Sequence, residues 1–87
     1  MKPEIRKPTE AEKRLAQSWP TWNKEASEFP WEYDEQETCL ILQGRATVTD
    51  EQGQEFNFGV GDWVVFPPGL KCTWKIDQDI RKHYKFG

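Results

Sequence analysis

Glu37, Cys39 and Ile41 recur at intervals of two, as do Cys72, Trp74 and Ile76. Residues two apart in an extended strand share a face. Each triplet therefore presents its chemistry to one side: a carboxylate and a thiol from the first, a thiol and an indole from the second. Turned inward together, these faces bring carboxylate, thiol and indole into one cavity. A carboxyl group walled by Trp and Ile is desolvated, which disfavours its charged form and suits it to general acid or base work near neutrality. The alternative is a carboxylate that hydrogen-bonds a neighbouring strand or a basic side chain. Cys39 and Cys72 admit three readings: buried structural thiols, a functional Cys72 lining a ligand site, or zinc ligation with Glu37 and the single His83. Their separation gives no C-x-x-C pattern, so ligation would rest on proximity alone. In the last strand-like run Ile80, Lys82, Tyr84 and Phe86 alternate with Arg81, His83 and Lys85. Lys82 or His83 would bring a positive charge to a bound anion or pair with Glu37; otherwise His83 is a surface residue. Tyr33 and Tyr84 offer phenolic hydrogen bonds or simple packing.

The chain that must hold these groups has 87 residues, enough for one domain and too few for two. Twelve Lys and Arg against 15 Asp and Glu give a net charge of -3, so the basic surface that nucleic acid or anionic lipid demands is absent. No run approaches the roughly 18 apolar residues of a membrane span, and the opening MKPEIRKPTE lacks the apolar core of a secretory signal. With two cysteines read as thiols, the expectation is a cytoplasmic protein. Charge is uneven: residues 1–29 carry six basic and five acidic groups, residues 30–70 one and eight, residues 71–87 five and two. A basic tail packed against an acidic middle suits an antiparallel arrangement.

One helix is expected, over Glu10–Gln17, where Thr9 and Glu12 have capping-box spacing, Pro8 lies before and Pro20 after. Ala11, Leu15 and Trp19 would form its apolar face. A polar arm precedes it and a loop, Thr21–Glu28, follows. From Phe29 onward the apolar residues alternate between glycine-bearing turns at Gln43-Gly44, Gln52-Gly53, Gly59–Asp62 and Pro67-Pro68-Gly69. This predicts short strands near Trp31–Tyr33, Thr38–Gln43, Ala46–Thr49, Glu55–Phe58, Trp63–Phe66, Cys72–Ile76 and Lys82–Phe86. Without crossover helices a parallel α/β sheet is excluded, leaving an all-β antiparallel barrel or sandwich. The expected layout is an arm with a short helix over residues 1–27 and a barrel over 28–87.

Gly61-Asp62-Trp63-Val64-Val65-Phe66-Pro67-Pro68-Gly69 fits the cupin pattern G-x5-P-x-G, and Glu37 with Gly44 fits E-x6-G of the other cupin motif. The stretches PWEYDEQETCLILQGRATV, GDWVVFPPGLKCTW and RKHYKFG resemble, more narrowly, small single-domain cupins grouped with the ureidoglycine aminohydrolase cupin domain and the ethanolamine-utilisation cupins. The resemblance spans residues 19–86. It implies a single antiparallel jelly-roll barrel of the RmlC-like kind, with Glu37 facing inward and a small polar molecule bound inside, in a protein related to ureide or amide metabolism that is an enzyme or, alternatively, a non-catalytic binding or accessory module.

The pattern's His-x-His falls on Pro30 and Glu32, or on Trp31 and Tyr33, and its third histidine falls on Cys72. Only Glu37 of the usual ligands is kept. The expected site is therefore metal-free, with at most weak divalent binding: Glu37 and Cys72 in catalytic positions, and Tyr33, Cys39, Trp74 and Lys82 around the ligand. Small cupins commonly pair, so a homodimer is expected.

Overall fold

The computed structural model describes residues 1–87 as seven strands and one helix: β1 (Glu4–Arg6), α1 (Glu10–Ala16), β2 (Thr21–Lys24), β3 (Ser27–Glu32), β4 (Glu37–Asp50), β5 (Glu55–Gly59), β6 (Trp63–Phe66) and β7 (Lys71–Phe86). Every strand pairing is antiparallel, as the alternation predicts. The frame is one ribbon of two long strands. β4 and β7 pair from Glu37 with Phe86 to Asp50 with Cys72. At one end of the ribbon, β6 and β1 add beside β4 and β2 adds beside β7; at the other end, β5 adds beside β4 and β3 beside β7. The ribbon thus belongs to two layers, and the core lies between them.

The ribbon bends where its register shifts, between Ile41 and Ala46. Gly44 sits in the shift at φ +88°, and a Cβ there would run into the backbone carbonyl oxygens of Gln78, at 2.7 Å, and Asp79. Across this irregularity the inward phase of β4 changes from odd to even: Glu37, Cys39 and Ile41 are buried before it, Ala46, Val48 and Asp50 after it. A bulge does this without ending a strand.

The expected strands therefore require joining. Thr38–Gln43 and Ala46–Thr49 are one strand, and so are Cys72–Ile76 and Lys82–Phe86. The expected loop Thr21–Glu28 is instead β2 and the start of β3, and the polar arm carries β1. These segments are strands because β7 and β6 offer them backbone partners: Trp22 lies opposite Lys82, Phe29 opposite Trp74 and Ile5 opposite Val64.

The helix has its capping box, with Thr9 Oγ1 accepting from the Glu12 N–H and the Glu12 carboxylate accepting from the Thr9 N–H. Its packing differs from expectation. Leu15 is 55% exposed, and it is Ala16 that is buried, with Trp19 beside it, against Leu40 and Trp63 on the outer face of the β6 layer. Arg6 clamps the helix start through two bonds to the Glu12 carboxylate, at 2.8 and 2.6 Å. The main core, between the layers, is aromatic at one end: Tyr33 stacks on Phe66 with centroids 4.8 Å apart, and Phe58 meets Trp74 edge-on at 5.3 Å.

Candidate functional site

β7 supplies the centre of the site. Its inward face carries Trp74 from the first half and Lys82 from the second, and β4 brings Glu37 alongside. Lys82 Nζ donates to Glu37 Oε2 at 3.0 Å, and both side chains are 5% exposed. The ammonium also lies 4.8 Å from the ring centroid of Trp22 and 4.9 Å from that of Trp74. A buried ammonium loses several kcal/mol of hydration; a carboxylate and two π faces are the groups that offset it. The Cys39 thiol lies close to the Glu37 carboxylate, but no N–H or O–H group donates to Glu37 Oε1. Since no fully buried side-chain polar atom lacks a partner, this second oxygen opens onto the adjoining space.

That space is a cavity of about 200 Å³. Glu37 and Lys82 are its only charged walls; Trp22, Phe29, Tyr33, Trp74 and Tyr84 form the rest, with Trp31 and Phe86 at the rim. Tyr33 is held from both sides of its backbone by the Pro67-Pro68-Gly69 turn: its carbonyl accepts from the Gly69 N–H and its N–H donates to Leu70 O at 2.9 Å. Its hydroxyl accepts from Trp74 Nε1 at 3.0 Å, leaving the phenolic hydrogen for another acceptor. Burial, with the nearby Glu37 charge adding to it, pushes the Tyr33 hydroxyl well above the usual phenol range, so it stays protonated.

Four of the six residues expected around the ligand line the cavity: Tyr33, Glu37, Trp74 and Lys82. The two thiols do not. Cys39 is fully buried behind the ion pair, and burial raises its thiol far above the usual range against the opposing pull of Lys82. Cys72 shares the inward face with Trp74, but its thiol donates to the Trp31 carbonyl at 3.6 Å, and burial pushes it up to about 11. Neither supplies a thiolate at neutral pH. His83 lies on the opposite face of β7, its Nδ1 donating to the Trp19 carbonyl at 3.0 Å. Sequence reasoning missed Trp22, Phe29, Trp31 and Phe86 as cavity walls. Trp22 and Phe29 stand directly across from Lys82 and Trp74, a relation that pairing alone reveals.

The geometry has close counterparts. The description that matches residues 11–84 is the EutQ-like cupin domain. The chain belongs to this cupin family. A crystal structure of a DUF861 family protein from Thermotoga maritima superposes with a TM-score of 0.94 at 46% identity, covering 99% of this chain and 100% of that one. A putative ethanolamine utilization protein Q from Salmonella typhimurium aligns at 23% identity and TM-score 0.69, covering 76% of this chain and 53% of that one. The EutQ protein of Clostridium difficile aligns at 17% and 0.70, covering 76% and 52%. This cupin thus spans about half the length of each EutQ protein, and with them it shares the fold. No curated protein matches it.

Cupins commonly hold a divalent metal through histidines and a glutamate. Here the donor set does not fit one: Oε2 of Glu37 is taken by Lys82, His83 points to the other face, and no three His, Cys, Asp or Glu side chains gather. A soft or borderline metal would find a single carboxylate oxygen beside a fixed cation. The cavity's own chemistry is that of a carboxylate acceptor, an ammonium, a free phenolic hydrogen and aromatic faces.

Proposed function

We propose that this cupin binds a small polar molecule inside the mouth of its barrel, without a metal. The observation that carries the reading is the buried Lys82–Glu37 pair whose second carboxylate oxygen opens onto an aromatic cavity. A charged pair at the wall of an apolar space gives little stability over apolar residues of the same size, which favours a role in binding. A cavity of about 200 Å³ lies below the usual range of about 300–1,000 Å³ for ligand pockets, so the ligand is small. Its chemistry follows from the walls: an N–H for Glu37 Oε1, a carbonyl oxygen for Tyr33 or Lys82, and a flat body for the indoles. Amides and ureides, the class suggested by resemblance to the ureidoglycine aminohydrolase cupin domain, meet all three. With the cysteine thiols kept protonated, no nucleophile is armed, and binding is the function these groups support best.

Two further elements complete the reading. Trp31 and Phe86, 49% and 44% exposed at the cavity rim, leave apolar area in water that a second copy would cover, which supports a homodimer. Both cysteines are free thiols, as suits the reducing cytoplasm. The test titrates hydantoin, acetamide and N-methylurea while following tryptophan emission and heat of binding. Saturable binding of at least one of them, weakened tenfold or more by Trp74→Phe, is expected. Emission unchanged by all three up to 100 mM would sink the reading.

A further inference from the structure

We infer that Glu37 and Lys82 form a proton-transfer dyad, and that the cavity moves an acidic α-hydrogen on a small neutral carbonyl compound. The inference rests on the cavity being a ligand site, as proposed above. The pair sets an acidic and a basic side chain 3.0 Å apart through Oε2. These are the two groups that enolisation asks for, a base to take the hydrogen and a cation to meet the oxygen. In such a compound the α-carbon and the carbonyl oxygen are two bonds apart, a span that suits adjacent groups on one wall. Oε1 is the free atom that would receive the hydrogen. The phenolic hydrogen of Tyr33, uncommitted because its oxygen only accepts from Trp74, is a second donor to the carbonyl oxygen.

The step balances without any added reactant. The α C–H bond breaks, its hydrogen passes to Oε1 as a proton, and its electron pair becomes the new C=C bond. The carbonyl π pair moves onto oxygen, where Lys82 and Tyr33 stabilise the enolate. Return of a proton from Glu37 to the same face restores the carbonyl with its configuration kept, and when the Glu37 carboxyl has first exchanged its proton with solvent through the cavity mouth, the hydrogen that returns is the solvent's. The aromatic walls surround the dyad with apolar area, which strengthens these interactions. The dyad carries no net charge, so a neutral ligand meets neither an unpaired cation nor an unpaired anion. A cyclic ureide with a hydrogen on the carbon beside its carbonyl satisfies both this step and the binding reading.

The test incubates the protein with 5-methylhydantoin and with acetylacetone in D2O. Loss of the α-hydrogen signal is followed by proton NMR and binding by tryptophan emission. Exchange faster than in buffer is expected for at least one probe. Glu37→Gln combined with Lys82→Met removes both charges together and so leaves no lone buried ion; it should slow exchange at least about 100-fold, the lower range for a general base. Tyr33→Phe, which keeps the ring, should slow it about tenfold, and Lys75→Gln on the outer face should not change it. Binding without exchange, or exchange equal in the double variant and the wild type, overturns the proton-transfer inference and leaves the binding reading standing. Neither binding nor exchange with both probes overturns this inference, and the amide panel above then decides the binding reading separately.

Discussion

Removing one member of the Lys82–Glu37 pair should cost far more than removing both. Lys82→Met leaves a carboxylate with its partner gone in a space where its side chain is 5% exposed, and breaking such a pair typically costs about 3–5 kcal/mol. Glu37→Gln with Lys82→Met leaves two neutral side chains of similar shape and should fall within about 1 kcal/mol of the wild type. Urea denaturation of the three proteins checks this, and equal losses in single and double variants would contradict it. Glu12 offers a second test at the surface. The Arg6 guanidinium, bonded to both its oxygens, holds its carboxyl down to about 2 from an ordinary 4.5. A depressed carboxylate stabilises the fold fully above its unfolded value and loses that contribution as pH falls through its folded one. The clamp on α1 should therefore weaken between about pH 4.5 and 2, seen as a change in the emission of Trp19 and Trp63, and Glu12→Gln should abolish that transition. Of the cavity's walls, Glu37, Trp74 and Lys82 were legible because alternation groups each with its neighbours two residues away, and the resemblance to cupins turned the Glu37 face inward. Cys72 shows the limit of that argument: its face is the inward one, but its thiol turned to the Trp31 carbonyl, a choice made by a neighbour on another strand.

Gly44 illustrates how a strand hides in a sequence. Glycine between two alternating runs reads as a turn, and each run taken alone has the correct phase, Cys39 with Ile41 and Ala46 with Val48. The two phases disagree, and a bulge reconciles them within one strand. Any side chain at this position meets both a strained φ and the carbonyls of Gln78 and Asp79, whereas Gly53, at φ +81°, faces open space. Gly53→Ala should cost about 1 kcal/mol, the strain alone. Gly44→Ala should cost at least about 3 kcal/mol, because the ribbon must also shift. Chemical-denaturation midpoints compare them, and equal losses would remove the bend from the account. β2 and the start of β3, ahead of the expected strand near Trp31–Tyr33, were illegible for a different reason. Their sequence, TWNKEASEFPWE, is polar and contains Pro30, and what makes strands of it is the backbone that β7 presents. Proline is tolerated there because β3 lies at an edge.

The whole molecule exposes more apolar area at the cavity rim than elsewhere along β3 and β7, with Trp31 and Phe86 both in water. On the dimer reading, sedimentation at tens of micromolar should give about twice the 10.3 kDa chain mass, and Trp31→Ser should shift it towards monomer; a monomer for the unaltered chain would contradict the reading. The fold class was legible as a whole because seven runs of alternation leave few architectures, while the pairing of the arm was not, since Ile5 opposite Val64 is a contact between distant parts of the chain. The shared ribbon has a kinetic consequence. β4 and β7 are the two long strands, with β5 and β6 between them, so neither layer gains its central pairing until the chain has closed the loop over residues 51–70. That closure must be paid in entropy before any rung of the ribbon rewards it. Refolding should accordingly take milliseconds to seconds, the range of about 0.001–1 s seen for topologies dominated by distant pairings. Because each layer owns half of the same two strands, neither can persist once the other opens. Amides from Cys39 and from Trp74, at opposite ends of the ribbon, should exchange with solvent through one and the same opening event.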